Sequence, residues 1–326
     1  MSTQLRQLTL ENRITQSFKY KKKSAQNVVS AVRQFLYFTG YFWLKPIPAD
    51  QKTITLFLEF MARSAGYGHI KHLLSSVRYV HEALDYPVDV FTSFQVTITM
   101  AGLKRRLANV PFQVLPITPD ILRNMYKFIN TDLKSDVALW CSFLVAFYGL
   151  LRKASTVPET KAYDDSTALR RRHIKVDHVN KMVYIYLGYS KSNNFCTRDI
   201  VIPVPANSDP ALDLYRHISS LFSEVSVGED SPAFSYSARS FISYNSFTTR
   251  LKRLLSQAGY NPDLYSGHSF RRGGATFLHN CGGTAIMVQA SGDWVSQCFT
   301  KYLYLSEAQR FSAQLLMRSG IELPYE

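Results

Sequence analysis

The chain has 326 residues, 46% of them hydrophobic, which is enough for two domains with cores of their own and excludes wholesale disorder. A formal net charge of +14 points to a polyanionic partner, most simply nucleic acid. Four scattered cysteines, Cys141, Cys196, Cys281 and Cys298, form no CxxC, which argues against a zinc knuckle or a disulfide framework and fits a reducing, intracellular compartment.

Residues 1–23 read as a polar, basic tail that ends in "KYKKK" and carries no signal segment. Residues 24–108 read as a helical bundle. Ser24 is the expected cap of a first helix, with Val28, Val29, Val32, Phe35 and Leu36 at helical spacing. A second helix is expected over 53–66, closed by Gly66, and a third over 69–87, with Ile70, Leu73, Leu74, Val77, Val80 and Leu84 on its apolar face. A fourth runs through 92–107. The polar faces carry Arg33, Lys71, Arg78, Lys104, Arg105 and Arg106, which read as duplex-facing charges, because each phosphate they neutralise releases counterions. No basic amphipathic anchor or lipidation motif stands out, so no membrane partner is expected.

The proline-rich stretch 109–117 reads as a linker, and 118–326 as a second domain. Thr118 caps its first helix, with Pro119 at the first helical position. The longest apolar run, "VALWCSFLVAFYGLL" (137–151), makes a helix of about 22 Å, short of a hydrocarbon core of about 30 Å. It reads as a buried helix with Arg152 at its end. Residues 170–205 alternate in short β-branched and aromatic runs around "DHVNK" and "SKSNN", the pattern of a small antiparallel sheet with Lys191 on a turn. From 208 onward the pattern is helical again. The expected fold class is therefore mainly α with a small antiparallel β-sheet.

The stretch "GHSFRRGGATF" (267–277) sets His268 and Arg271 three apart, on one side of a helical turn. Arg272 has no role beyond a DNA-backbone contact or a surface charge, and Gly273 and Gly274 allow close approach to a neighbour or to DNA. An arginine at the inner end of a buried helix, as Arg152 is, needs an anion: a buried Asp or a bound phosphate. Arg152, Lys191, His268, Arg271 and Tyr302 together suit phosphoryl transfer without metal. Two guanidinium groups fork around non-bridging oxygens, a tyrosine attacks phosphorus, a lysine protonates the leaving hydroxyl and a histidine assists proton transfer. No run of Asp and Glu has Mg²⁺-ligand spacing, so no metal ligand and no cofactor are expected.

The order Arg, Lys on a hairpin, HxxR, then Tyr resembles the tyrosine recombinase (phage-type integrase) family. "HSFRRGGAT" followed by "GDW…KYL" is most similar in wording to eukaryotic mobile-element recombinases of the Crypton and DIRS kinds. The resemblance implies an N-terminal helical core-binding (SAM-like) bundle and an α+β catalytic domain that clamp double-stranded DNA, four protomers assembling on two duplexes, and a nuclear location. By the same resemblance Arg152 and Arg271 hold the scissile phosphate, Lys191 is the general acid and His268 assists proton transfer. Tyr302 forms a 3′-phosphotyrosine, with no need for ATP or an obligatory metal. The family tyrosine lies ten residues after a glycine, which selects Tyr302 after Gly292 over Tyr304; on a helix the two point about 200° apart.

The sequence also departs from the family. Asp293 stands where the family places a phosphate-binding His or Trp, and Trp294 takes that role if the turn shifts by one. Ser155 stands where an acidic residue is usual. The tail 306–320 reads as a final helix, docked either on its own core or on a neighbouring protomer. Two other readings share this fold or chemistry: a catalytically inactive domesticated DNA-binding protein, and a type IB topoisomerase. Loss of covalent DNA attachment in Tyr302→Phe separates the first from a recombinase, and site-preferring tetramer assembly separates the second.

Overall fold

The computed structural model describes residues 22–107, 113–159, 168–187, 200–294 and 296–304, together with 314, 315 and 318. The chain divides into two compact units, Met1–Phe112 and Gln113–Glu326.

The first unit contains four helices: α1 (Lys22–Tyr41), α2 (Gln51–Met61), α3 (Tyr67–Ala83) and α4 (Phe94–Arg106). Helix α1 begins at Lys22, upstream of the expected cap at Ser24. Asp50 caps α2 through its carboxylate, which accepts from the Thr53 N–H at 2.7 Å. Gly66, expected to close α2, instead precedes α3 as its extended N-cap. Phe35, Phe38, Phe57, Leu58, Leu73 and Val77 lie in one buried cluster, and the Phe35 and Phe57 rings meet edge-on at 5.0 Å. His81 is fully buried there. Its Nε2 accepts from the Ala49 N–H at 3.0 Å and its Nδ1 donates to the Val77 carbonyl at 2.9 Å.

In the second unit, α5 (Pro119–Tyr126) starts as expected, with the Thr118 hydroxyl accepting from the Ile121 N–H. Helix α6 (Lys134–Tyr148) is buried at every residue from Asp136 to Phe147, as a central helix requires. Trp140 satisfies its indole on the Ala211 carbonyl at 2.8 Å. Phe143 touches both Phe247 and Phe270, at 4.7 and 4.9 Å between ring centroids. The short helix α7 (Lys153–Thr156) follows. The expected sheet is three-stranded and antiparallel in the order β1 (Ile174–Asp177), β2 (Met182–Leu187), β3 (Ile200–Pro205). Beyond 208 the chain holds α8 (Leu214–Glu224), α9 (Tyr244–Gln257), α10 (His268–Asn280) and α11 (Ala285–Ser291). It also holds a two-stranded ribbon, β4 (Ser235–Ser237) with β5 (Ser240–Phe241), where helix alone was expected. No described helix is long and apolar enough to cross a membrane.

Residues 113–117, read as part of a linker, are strapped to this second unit. Leu115 N–H donates to Leu264 and Ile117 N–H donates to Ser269, laying the segment along the start of α10. A smaller cluster of Leu150, Ala275, Val288, Trp294 and Phe299 sits beside the main core, with Tyr302 packed against it.

Candidate active site around Arg271

Helix α6 ends at Tyr148, and the chain turns through Gly149 and Leu150, the latter at φ +48°. Arg152 is therefore not the last residue of the buried helix, as expected. It sits past the turn in extended backbone, as the N-cap of α7. Its side chain is half-buried, and no carboxylate pairs with it among the described residues.

Helix α10 begins with His268. The His268 N–H donates to the Ser266 hydroxyl at 3.2 Å, and the Ser266 N–H donates to the Ser269 hydroxyl at 3.0 Å. His268 is exposed at its outer face, yet its pKa lies below the ordinary 6.5. Burial of the ring against its neighbours is the first cause, followed by the positive charges of Arg152, Arg271 and Lys153. The shift favours the neutral ring at pH 7. Protonation costs more in the folded chain than in the unfolded one, so this contribution to stability is intact above pH 6.5 and declines as pH falls from 6.5 through the lowered folded value. His173 and His217 are shifted the same way by burial, so the test is residue-specific: the His268 ring titrates below 6.5 by NMR, and a midpoint at or above 6.5 refutes it.

Arg271, three residues on, is 2% exposed and pairs with no carboxylate among the described residues. Its Nη1 donates to the Leu150 carbonyl and its Nη2 to the Gly292 carbonyl at 2.7 Å. Its Nε–H is buried without an acceptor. The guanidinium carbon lies 3.8 Å from the centre of the Trp294 ring and 5.3 Å from that of Tyr302. Burial first, and then Arg152, lower its pKa to about 10, while Tyr302 and Asp293 act in the opposite sense. Arg271 remains charged at pH 7.

Trp294 reaches this position through the end of α11. Asp293 takes the left-handed conformation at φ +50° and donates its N–H to the Ala290 carbonyl, and Trp294 N–H donates to the Gln289 carbonyl at 3.1 Å. These two bonds form a Schellman ending with aspartate in the place usually taken by glycine. The turn swings Trp294 inward over Gly292, where a Cβ would lie 1.7 Å from the indole ring. The indole Nε1 is buried without an acceptor. Replacing Trp294 by Ala removes the floor under Arg271 and is expected to cost about 3–5 kcal/mol, read by denaturant unfolding. A loss below 1 kcal/mol would mean the ring is not packed as described.

Tyr302 ends a 3₁₀ turn over Gln297–Tyr302, and its ring lies 5.2 Å from that of Trp294. Tyr304 lies past the end of that turn, so the two tyrosines diverge because the helix stops rather than because both occupy one helix. Tyr304 is 40% exposed and lies 5.6 Å from the Arg272 guanidinium carbon, not beside Arg271.

Arg272 corrects an expectation. It is neither a surface charge nor free for a DNA contact: it is 8% exposed, and its Nη1 donates to the Val114 carbonyl at 3.1 Å, tying the 113–117 strap to α10. The glycines that follow face protein. A Cβ on Gly273 would meet the Ile117 carbonyl oxygen at 1.8 Å, and one on Gly274 the Phe147 carbonyl oxygen at 2.3 Å.

The second unit thus gathers Arg152, His268, Arg271, Trp294 and Tyr302, and adds Lys153, which the sequence reading passed over. Lys191 and the tail helix of 306–320 lie outside the described residues, apart from 314, 315 and 318 of the latter. In the first unit Arg33, Lys71, Lys104 and Arg105 are exposed and Arg78 is half-buried, while Arg106 is held by Glu59 at 2.7 Å.

No protein-family model matches the chain, and no curated protein sequence matches it. Solved structures do. The Tn1549 transposon integrase in complex with transposon right end DNA is 12% identical over 94% of this chain and 98% of its own, with a TM-score of 0.61. A lambda integrase dimer bound to a COC′ core site is 16% identical over 93% of this chain and 76% of its own, with a TM-score of 0.56. The XerH site-specific recombinase in a post-cleavage complex with palindromic difH substrate is 16% identical over 82% and 70%, with a TM-score of 0.55. The chain shares the fold of the tyrosine recombinases: mainly helical, with a small antiparallel sheet.

Proposed function

We propose that this protein is a site-specific DNA recombinase, in which Tyr302 cleaves one strand of a duplex and stores the bond as a 3′-phosphotyrosine. The observation that carries the reading is the state of Arg271: a charged guanidinium, nearly sealed from water, with no carboxylate partner among the described residues and a buried Nε–H without an acceptor among them, beside the Tyr302 ring. A phosphodiester oxygen supplies what the group lacks. The charge of Arg152 bears on both Arg271 and His268, which supports a second guanidinium near the same anion.

In the reaction the Tyr302 oxygen bonds to phosphorus as the bond to the 5′ oxygen breaks. Neutral His268 takes part in proton transfer, and the departing 5′ oxygen receives a proton from a general acid, the role we assign to Lys191. The two arginines face the negative charge that grows on the non-bridging oxygens, where preorganised donors contribute most. The Trp294 indole, whose N–H has no acceptor among the described residues, is a further donor to the phosphate. A 5′ hydroxyl from another strand reverses the sequence and releases Tyr302, so the bond energy is kept.

The partner is double-stranded DNA, carried over from the DNA-bound integrases that share the fold and supported by the exposed Arg33, Lys71, Lys104 and Arg105, with Arg78. The wording of 268–302 favours a eukaryotic mobile element of the Crypton or DIRS kind. Its integration or excision would take place in the nucleus, by a homotetramer on DNA. The test offers duplexes bearing candidate element ends, each with a nick that lets the cleaved end diffuse away. An adduct that survives denaturant, with the nucleotide mapped to the Tyr302 peptide, supports the reading. Binding without an adduct on every such duplex overturns it in favour of a DNA-binding protein without chemistry.

A further inference from the structure

Lys153 is next to Arg152 in sequence, but its side chain takes a different path. It is 9% exposed and runs under Gly267, the N-cap of α10. Gly267 is the residue that admits it: a Cβ there would lie 2.8 Å from Lys153 Cβ and 2.9 Å from Lys153 Cδ. The ammonium then reaches α9, where it donates to the Thr248 hydroxyl at 2.5 Å and sits 3.3 Å from the centre of the Tyr244 ring. No carboxylate pairs with it among the described residues. A buried ammonium held only by a hydroxyl and an aromatic face is a costly choice for stability alone, because an apolar side chain of the same length would fill the space without the desolvation.

We propose that Lys153 is a positioning residue of the active site: its buried stem fixes the start of α10, and its anchored ammonium adds a standing positive charge behind His268. Three cations bear electrostatically on that imidazole, Arg152 and Lys153 from the turn into α7 and Arg271 from its own helix. No acidic group figures among the charges acting on it. Lys153 therefore helps to keep His268 neutral. On the reading of the site as a phosphodiester-cleaving centre, it also favours the transition state, whose added negative charge it feels more strongly than the bound ground state.

The experiment is an NMR titration of the His268 ring in the full chain, without DNA, for the wild type, Lys153→Met and Lys153→Arg. The expected result is a higher midpoint in Lys153→Met and a midpoint near the wild type in Lys153→Arg. Equal midpoints in wild type and Lys153→Met, in proteins with matching circular dichroism, overturn the proposal; so does Lys153→Arg moving as far as Lys153→Met. Should Lys153→Met fail to fold, Thr248→Val and Tyr244→Leu release the ammonium without deleting it. The midpoint then rises if the anchored charge matters, and an unmoved midpoint in both overturns the proposal. In single-turnover cleavage, Lys153→Met is expected to slow the chemical step by about 10-fold while DNA affinity stays within about 2-fold. If no form of the protein cleaves DNA, the recombinase reading fails, and the titration still decides the role of Lys153.

Discussion

Tyr302→Phe is expected to leave DNA binding intact and to remove the covalent adduct. The substitution deletes one oxygen. The phenyl ring can keep its place 5.2 Å from Trp294 and 5.3 Å from the Arg271 guanidinium carbon, and Arg271 keeps its bonds to the Leu150 and Gly292 carbonyls. Binding measured by gel shift should stay within a few-fold of the wild type. Strand cleavage should fall by about 10⁴-fold or more, because the attacking oxygen is gone. Tyr304→Phe is the matched control and should retain cleavage, since Tyr304 lies beside Arg272 rather than Arg271. An adduct that persists in Tyr302→Phe and vanishes in Tyr304→Phe would reassign the nucleophile.

Gly273→Ala should destabilise the second unit strongly for an exchange of so few atoms. The new methyl would sit 1.8 Å from the Ile117 carbonyl oxygen and 2.7 Å from its carbon, and both are backbone. That backbone is pinned, because Ile117 N–H donates to Ser269 at 3.0 Å and the Ile117 side chain is fully buried. The strap and α10 must separate by more than an ångström, at a cost of about 3 kcal/mol or more. For a unit of this size that lowers Tm by roughly 6–12 °C, read by calorimetry. Gly102→Ala is the contrast. Gly102 lies inside α4 with nothing within 4 Å of its would-be Cβ, and alanine should stabilise that helix by up to about 1 kcal/mol. Similar effects at both positions would show that the strap does not press on Gly273.

What the sequence made legible was periodic or ordered. Four amphipathic helices, a continuous apolar helix and an alternating sheet each announce themselves through a repeat, and the chemistry-bearing residues through their order along the chain. What escaped was set by turns and by contacts between distant segments. Gly66 looks like a helix end because glycine ends helices, yet an extended glycine also starts them, and the Asp50 and Gly66 boundaries decide α2 and α3. Arg272 reads as a surface charge next to a functional neighbour. Its burial depends on a segment more than 150 residues earlier passing over it. Lys153 reads as one more basic residue after Arg152, and only the glycine opposite reveals the channel it fills. Asp293 reads as a defect in a phosphate-binding motif, whereas the left-handed turn makes it the helix ending that delivers Trp294 one residue later.

The two carbonyls that hold Arg271 have a consequence for acid tolerance. Leu150 follows the last turn of α6 and Gly292 ends α11, so the guanidinium is clasped by the electron-rich ends of two helices rather than by a side-chain acid. Peptide oxygens take no proton anywhere in the range a protein survives. An Asp or Glu in their place would lose its charge at low pH, whereas a carbonyl keeps its lone pairs. The two bonds that aim Arg271 therefore do not titrate.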